Sequence, residues 1–249
     1  MIQDNFLDII KHTSSLGFID MVKLTGTTDG VKVEAIDDER SVVVAGNLRT
    51  PIEGLNGTIG LGRIGVLSGY LNFAPFVGEE AIVSIGTKEL ADGSLAPSQL
   101  DFNSNNGHMA SYRFMSSEIA NDQIRVPPFK GATWDVIIEP TKAALRDLNS
   151  MNSILSAYEA LFSVKTNGTN LEFNIGESNS DNSRLVFAKD ISGKLTHAWS
   201  WQLSKVIGIL KLHASSEKCT MKFSNQGALL IEIDSGLGVY EYILPAKVK

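Results

Sequence analysis

The chain begins with a helical period. Between Asp4 and Ser14, Phe6, Ile9, Ile10 and Thr13 fall on one side of a helical wheel, with Asp4, Asp8 and Lys11 on the other. The period then shortens to two. Ile19–Thr25 and Val31–Ile36 alternate apolar with polar residues around Asp29-Gly30, which predicts a hairpin whose glycine supplies the positive φ of a tight turn. A third strand is expected over Ser41–Ala45, and a second helix over Leu61–Phe73 with Ile64, Leu67 and Leu71 inward. Strands follow at Ala81–Ile85, Gln99–Asn103 and His108–Met115. Ser116–Lys130 carries no helical period, contains Pro127-Pro128 and reads as a connector.

The pattern then restarts. Thr141–Leu155 is helical, with Ala144, Leu145, Leu148, Met151 and Leu155 inward; Ala160–Thr166 and Asn170–Ile175 flank a turn at Asn167-Gly168. Strands at Arg184–Lys189 and Leu195–Trp199, a helix over Trp201–Leu212, and strands at Cys219–Ser224, Ala228–Asp234 and Val239–Leu244 complete the chain. Gly30 and Gly168 each follow a helix-then-strand unit about half a chain length apart, and Leu61-Gly62-Arg63-Ile64 is echoed by Leu203-Ser204-Lys205-Val206. A repeat this long means two similar domains. The expected organisation is an N-terminal domain over 1–116, a connector over 117–132 and a C-terminal domain over 133–249. Strand runs broken by isolated helices predict an α+β class: two similar domains, each with antiparallel sheets, two helices and about eight or nine strands.

Composition narrows the function. With 249 residues and 43% apolar residues the chain affords a sizeable core, and no apolar run is long enough to cross a bilayer. The opening residues lack the basic region of a signal peptide, and a lone Cys219 agrees with a reducing compartment, so an intracellular location is expected. The net charge of −6 shows no basic excess, although an acidic exterior can coexist with one basic face.

Candidate chemistry is sparse. Gly60-Leu61-Gly62-Arg63-Ile64-Gly65 matches G-x-G-x-x-G, but no buried parallel strand is expected before it and the repeat copy lacks the glycines. These glycines are better suited to close packing, and an enzyme built on the loop is a weak rival. His12, His108, His197 and His213 are scattered without metal-ligand spacing, and Asp37-Asp38-Glu39 reads as a solvated loop. No metal, no cofactor and no catalytic activity are expected. The helices say more: Lys11, Arg63, Lys142, Arg146 and Lys205 all stand away from apolar stripes, a pattern suited to sequence-independent phosphate contacts.

In order and spacing, the chain resembles the sliding clamps of DNA replication, the ring-forming family of eukaryotic and archaeal proliferating cell nuclear antigen and the T-even-type bacteriophage clamps. Gly30–Asp37 resembles the family's first hairpin, Ala144-Leu145-Arg146-Asp147-Leu148 its Arg-Asp-Leu helix, and Leu237–Lys247 its closing strand and tail. The tail here reads Tyr242-Ile243-Leu244-Pro245-Ala246-Lys247, one residue out of step with the family's Tyr-Leu-Ala-Pro-Lys. The segment Asn149–Tyr158 is longer than the family's usual step from helix to strand.

The resemblance implies a DNA-clamp fold and a closed homotrimeric ring around double-stranded DNA, acting as a polymerase processivity factor. Lys11, Arg63, Lys142, Arg146, Lys205 and Lys211 would face the DNA. Met109, Tyr112 and Phe114 would meet Leu185, Val186 and Phe187 of the next subunit. A partner-peptide pocket would be walled by Ile36, Arg40, Ile124, Val126, Pro127, Tyr242, Leu244 and Pro245. The implied partners are a DNA polymerase and a clamp-loader ATPase, with no membrane, in the cytoplasm of a host cell if the protein is viral or the nucleus if eukaryotic. The alternative is a repeated β-rich structural or virion assembly protein that joins through strand edges without encircling DNA.

Overall fold

A computed structural model describes residues 2–78, 80–157, 160–176 and 179–247. The chain divides into two units: the first runs to Pro127 and includes Leu237–Tyr240, and the second holds Pro128–Gly236 and the chain from Glu241. The division falls inside the expected connector.

The first unit contains α1 (Ile2–His12), β1 (Val22–Gly26), β2 (Val31–Ile36), β3 (Val43–Leu48), β4 (Gly57–Leu61), α2 (Ile64–Leu71), β5 (Ile82–Glu89), β6 (Leu95–Asn103), β7 (Met109–Arg113) and α3 (Ser117–Gln123). Its strands run in the order β4-β1-β2-β3, with the start of β15 (Gly238–Pro245) beside β3, and separately β5-β6-β7. The second unit contains β8 (Val136–Ile138), α4 (Lys142–Leu155), β9 (Leu161–Asn167), β10 (Asn170–Ile175), β11 (Ser183–Ala188), β12 (Trp199–Gln202), α5 (Leu203–Lys211), β13 (Lys218–Phe223), β14 (Ala228–Asp234) and the rest of β15. Its orders are β12-β9-β10-β11 and β15-β14-β13-β8. The β4-β1-β2-β3 order thus recurs as β12-β9-β10-β11, and β5-β6-β7 as β13-β14-β15. The fold is α+β with antiparallel sheets.

Period-two burial makes the cores. Val22 and Leu24 of β1 and Val31, Val33 and Ala35 of β2 turn inward, as do Phe162 and Val164 of β9 with Leu171, Phe173 and Ile175 of β10. In the first unit α1 packs on α2; in the second α4 packs on α5 and on β11. Thr141 caps α4, its Oγ1 accepting from the Ala144 amide at 3.1 Å, and the helix continues to Leu155.

Several expectations change. The supposed connector contains α3, capped by Ser116, whose Ala120 packs against β4. Gly60 is glycine because a Cβ there would come within 3.0 Å of Ala120 and Met115. Residues 57–61 form a strand, but one antiparallel to β1 at the end of the strand order, which is not the frame of a dinucleotide site. Leu195 lies outside β12, which begins at Trp199.

The two hairpins also differ. β1 and β2 are joined by four residues, Thr27–Gly30, and Gly30 does not take a positive φ. It is required because a Cβ would stand 2.3 Å from the Leu48 carbonyl oxygen. Between β9 and β10 only Gly168 and Thr169 intervene, and Gly168 adopts φ 59°, as a tight turn needs.

Candidate nucleic-acid interface and assembly edges

On α4, Lys142 and Arg146 are exposed, followed along the same side by Asn149, Ser150 and Ser153. On α5, exposed Lys211 stands across from them, while half-buried Lys205 does not line the groove. Lys142, Arg146 and Lys211 line one groove between the two helices. Three of the six expected DNA-facing cations are therefore brought together, all in the second unit.

The first unit differs. Lys11 is half-buried in the last turn of α1, and Arg63 is not on α2 at all: it precedes the helix in a left-handed conformation, φ 48°. The exposed side of α2 carries Gly65, Val66 and Gly69 and no charge. The expectation of a cation on every helix fails for α2, because its sequence is apolar or small throughout. Asp8, expected on a solvated face, is buried instead; it accepts a hydrogen bond from the Tyr240 hydroxyl at 2.8 Å and lies 3.7 Å from His12 Nε2. The His12 ring stacks on Tyr240 at 4.2 Å. Burial lowers the His12 pKa to about 4, with Asp8 opposing the shift and Lys11 adding to it.

The edges of the sheets form the second feature. β7 ends the three-stranded sheet and β11 ends the four-stranded one, and neither has a second strand partner among the described residues. Met109 on β7 is 79% exposed and Val186 on β11 is 39% exposed. Tyr112 and Phe187, expected at a subunit contact, point the other way, as alternation along a strand requires. Tyr112 is buried, donates to the Gly62 carbonyl, and has its pKa pushed up to about 12 by burial. Phe187 is buried and stacks on Phe173 at 4.1 Å. Phe114 and Leu185 are half-buried. Next to β7, Val66, Tyr70, Phe73 and Met109 line an apolar groove of about 540 Å³.

The expected peptide pocket is only partly assembled from the residues named for it. In the first unit Ile36, Arg40 and Ile124 line a cavity of about 200 Å³ with Asp38 of the acidic run and with Met21, Asp122 and Arg125, three residues that sequence patterning does not single out. Val126 and Pro127 are not in its lining. In the second unit Tyr242 and Leu244 are buried and Pro245 is exposed. Alternation along β15 places Tyr240, Tyr242 and Leu244 on one inward face, a signal present in the sequence. Asp37 is no cation ligand: it is buried and accepts from the amides of Ser41 and Val42, each at 2.7 Å, and from the Ser41 hydroxyl at 2.8 Å. Among the described residues no cluster of three or more His, Cys, Asp or Glu side chains is placed to hold a metal ion, and no helix is long and apolar enough to cross a membrane. The Cys219 thiol is buried, which raises its pKa to about 12.

No protein-family model and no curated protein matches this sequence. Solved structures do. Proliferating cellular nuclear antigen from Entamoeba histolytica superposes with a TM-score of 0.69 at 12% identity, over 99% of this chain and 96% of that one. PCNA from Thermococcus kodakaraensis gives 0.66 at 14% identity, over 99% and 97%. The chain has the sliding-clamp fold of the PCNA type.

Proposed function

We propose that the protein is a DNA polymerase processivity factor: a ring of three copies that encircles duplex DNA, closed by β7 of one copy pairing head to tail with β11 of the next. The observation that carries this reading is an asymmetry between equivalent strands. β3 has its outer side covered by the start of β15, whereas among the described residues its counterpart β11 has no neighbour there, and β7, the counterpart of β15, is equally uncovered. Unpaired edges invite pairing, and a head-to-tail contact that rotates by a fixed angle closes into a ring. Exposed Met109 and Phe73 beside β7 supply one apolar surface; Val186 on β11 and Ile154 on α4, 65% exposed, supply the other.

Lys142, Arg146, Lys205 and Lys211, with weaker help from Lys11 and Arg63, face the phosphates. None is required to read a base, so the ring slides, and processivity comes from encirclement. The cavity around Ile36, Arg40 and Ile124 takes a short partner peptide from a polymerase or a clamp-loader ATPase, which supplies the ATP chemistry; the clamp itself is not catalytic. A β-rich structural protein would use the same edges but has no use for the cations of α4 and α5.

Retention on DNA tests the reading. The protein should stay on nicked circular duplex and leave it when the circle is linearised. Equal retention on both forms after loading would contradict encirclement.

A further inference from the structure

The groove between α4 and α5 has a chemistry that phosphate contact does not call for. Its volume is about 330 Å³, and its floor is aliphatic: Leu148, Ile207 and Leu210 are almost fully buried, and Leu145 is half-buried. Above that floor stand Lys142, Arg146 and Lys211. Lys142 and Lys211 enter no ion pair among the described residues, and Arg146 has only the neighbouring Asp147 carboxylate, 3.5 Å away. A duplex backbone offers anionic oxygens for such a rim but no apolar group to fill the recess. The natural complement is a ligand with aliphatic side chains to bury and carboxylates beside them.

We propose that this groove binds an acidic peptide segment carrying aliphatic anchors, and that such a segment competes with duplex DNA for the same helix face. The competition rests on the sliding-clamp reading; the binding does not. A peptide fits better than a membrane surface because the aliphatic side chains are recessed below the cations, and a bilayer needs apolar groups that protrude. The groove admits side chains that come to it. Carboxylates on either side of the anchors would pair with Lys142 and Arg146 from α4 and Lys211 from α5, so both the apolar and the charged parts of the site contribute to affinity.

The test is fluorescence anisotropy with the full chain and a labelled peptide of leucines at helical spacing separated by glutamates. Replacing its leucines by serine should weaken binding by about tenfold or more, and Lys142→Glu with Arg146→Glu should do the same. Ala214 is exposed at the groove, so Ala214→Trp fills it without changing charge or core packing and should abolish peptide binding while leaving DNA binding intact. Leu145→Asn gives a second, independent loss. The proposal is overturned if the serine peptide binds as well, if Ala214→Trp changes nothing, or if phosphatidylglycerol vesicles bind while the peptide does not. Unlabelled duplex provides the separate check. If the peptide binds and duplex fails to displace it, the groove assignment stands and the DNA-facing role of these helices falls.

Discussion

β3 and β11 hold the same place in their units, fourth in the orders β4-β1-β2-β3 and β12-β9-β10-β11, yet they end differently. Beside β3 the chain lays down Leu237–Tyr240: the Arg49 amide donates to the Leu237 carbonyl at 3.0 Å, and Tyr240 reaches back to Asp8 and His12 on α1. Nothing among the described residues does this for β11. The helix pairs are also unequal, neutral on the exposed side of α2 and basic along α4 and α5. The first repeat is covered at β3 and open at β7, whereas the second is open at β11 and carries the charge. A duplicated unit can divide labour in this way because strand order is set by the core-facing residues, leaving edges and outer helix faces free to diverge.

The largest effect should come from charging the open edge. Val186→Glu would place an unpaired carboxylate in the junction and cost about 3 kcal/mol per contact, enough to weaken association by over about a hundredfold. Sedimentation at low micromolar concentration should show a shift to monomer with the fold intact by circular dichroism.

The covered edge has its own sensitivity, to acid. The unfolded chain takes up a proton on His12 near pH 6.5, but the folded protein resists until about pH 4, so the unfolded state binds more protons between those values and stability falls as pH drops through that window. The loss from this group is up to about 3 kcal/mol at its foot. Chemical denaturation at pH 7 and pH 4.5 should show it, and His12→Phe, which keeps a ring against Tyr240, should flatten the slope.

The hairpins sharpen the comparison further. Gly30→Ala should destabilise by about 2 kcal/mol or more, because its Cβ collides with the Leu48 carbonyl. Gly168→Ala meets open space and pays only the left-handed strain of about 1 kcal/mol. Equal losses in thermal denaturation would show that one physical cause, not two, governs both turns.

The charge difference between the helix pairs gives a smaller effect in energy than the charged edge or Gly30→Ala, about 1.4 kcal/mol. Lys142→Glu with Arg146→Glu should lower duplex affinity by about tenfold and reduce the salt slope by about two, whereas Lys11→Glu with Arg63→Glu should do less. Anisotropy titrations at several salt concentrations would separate the two pairs.

Much of this was legible before the fold. Period-two runs located β1, β2, β9 and β10, and a period near 3.6 located α1, α4 and α5. β4 escaped because three of its five residues are glycine or threonine, β8 because three residues carry no period, and α3 because two helical turns beside Pro127-Pro128 look like a connector. The site was harder. A helical wheel cannot show that Asp8 meets Tyr240 from the far end of the chain, nor that Lys211 joins Lys142 and Arg146 across a groove. The uncovered edges of β7 and β11 follow from strand order, which local patterning does not contain.

The central claim is that these two edges join copies of the chain, and native mass measures it most directly. Multi-angle light scattering across a range of concentrations at moderate salt should give a species of about three times 27.0 kDa that resists dilution. A monomer at every concentration would contradict the account.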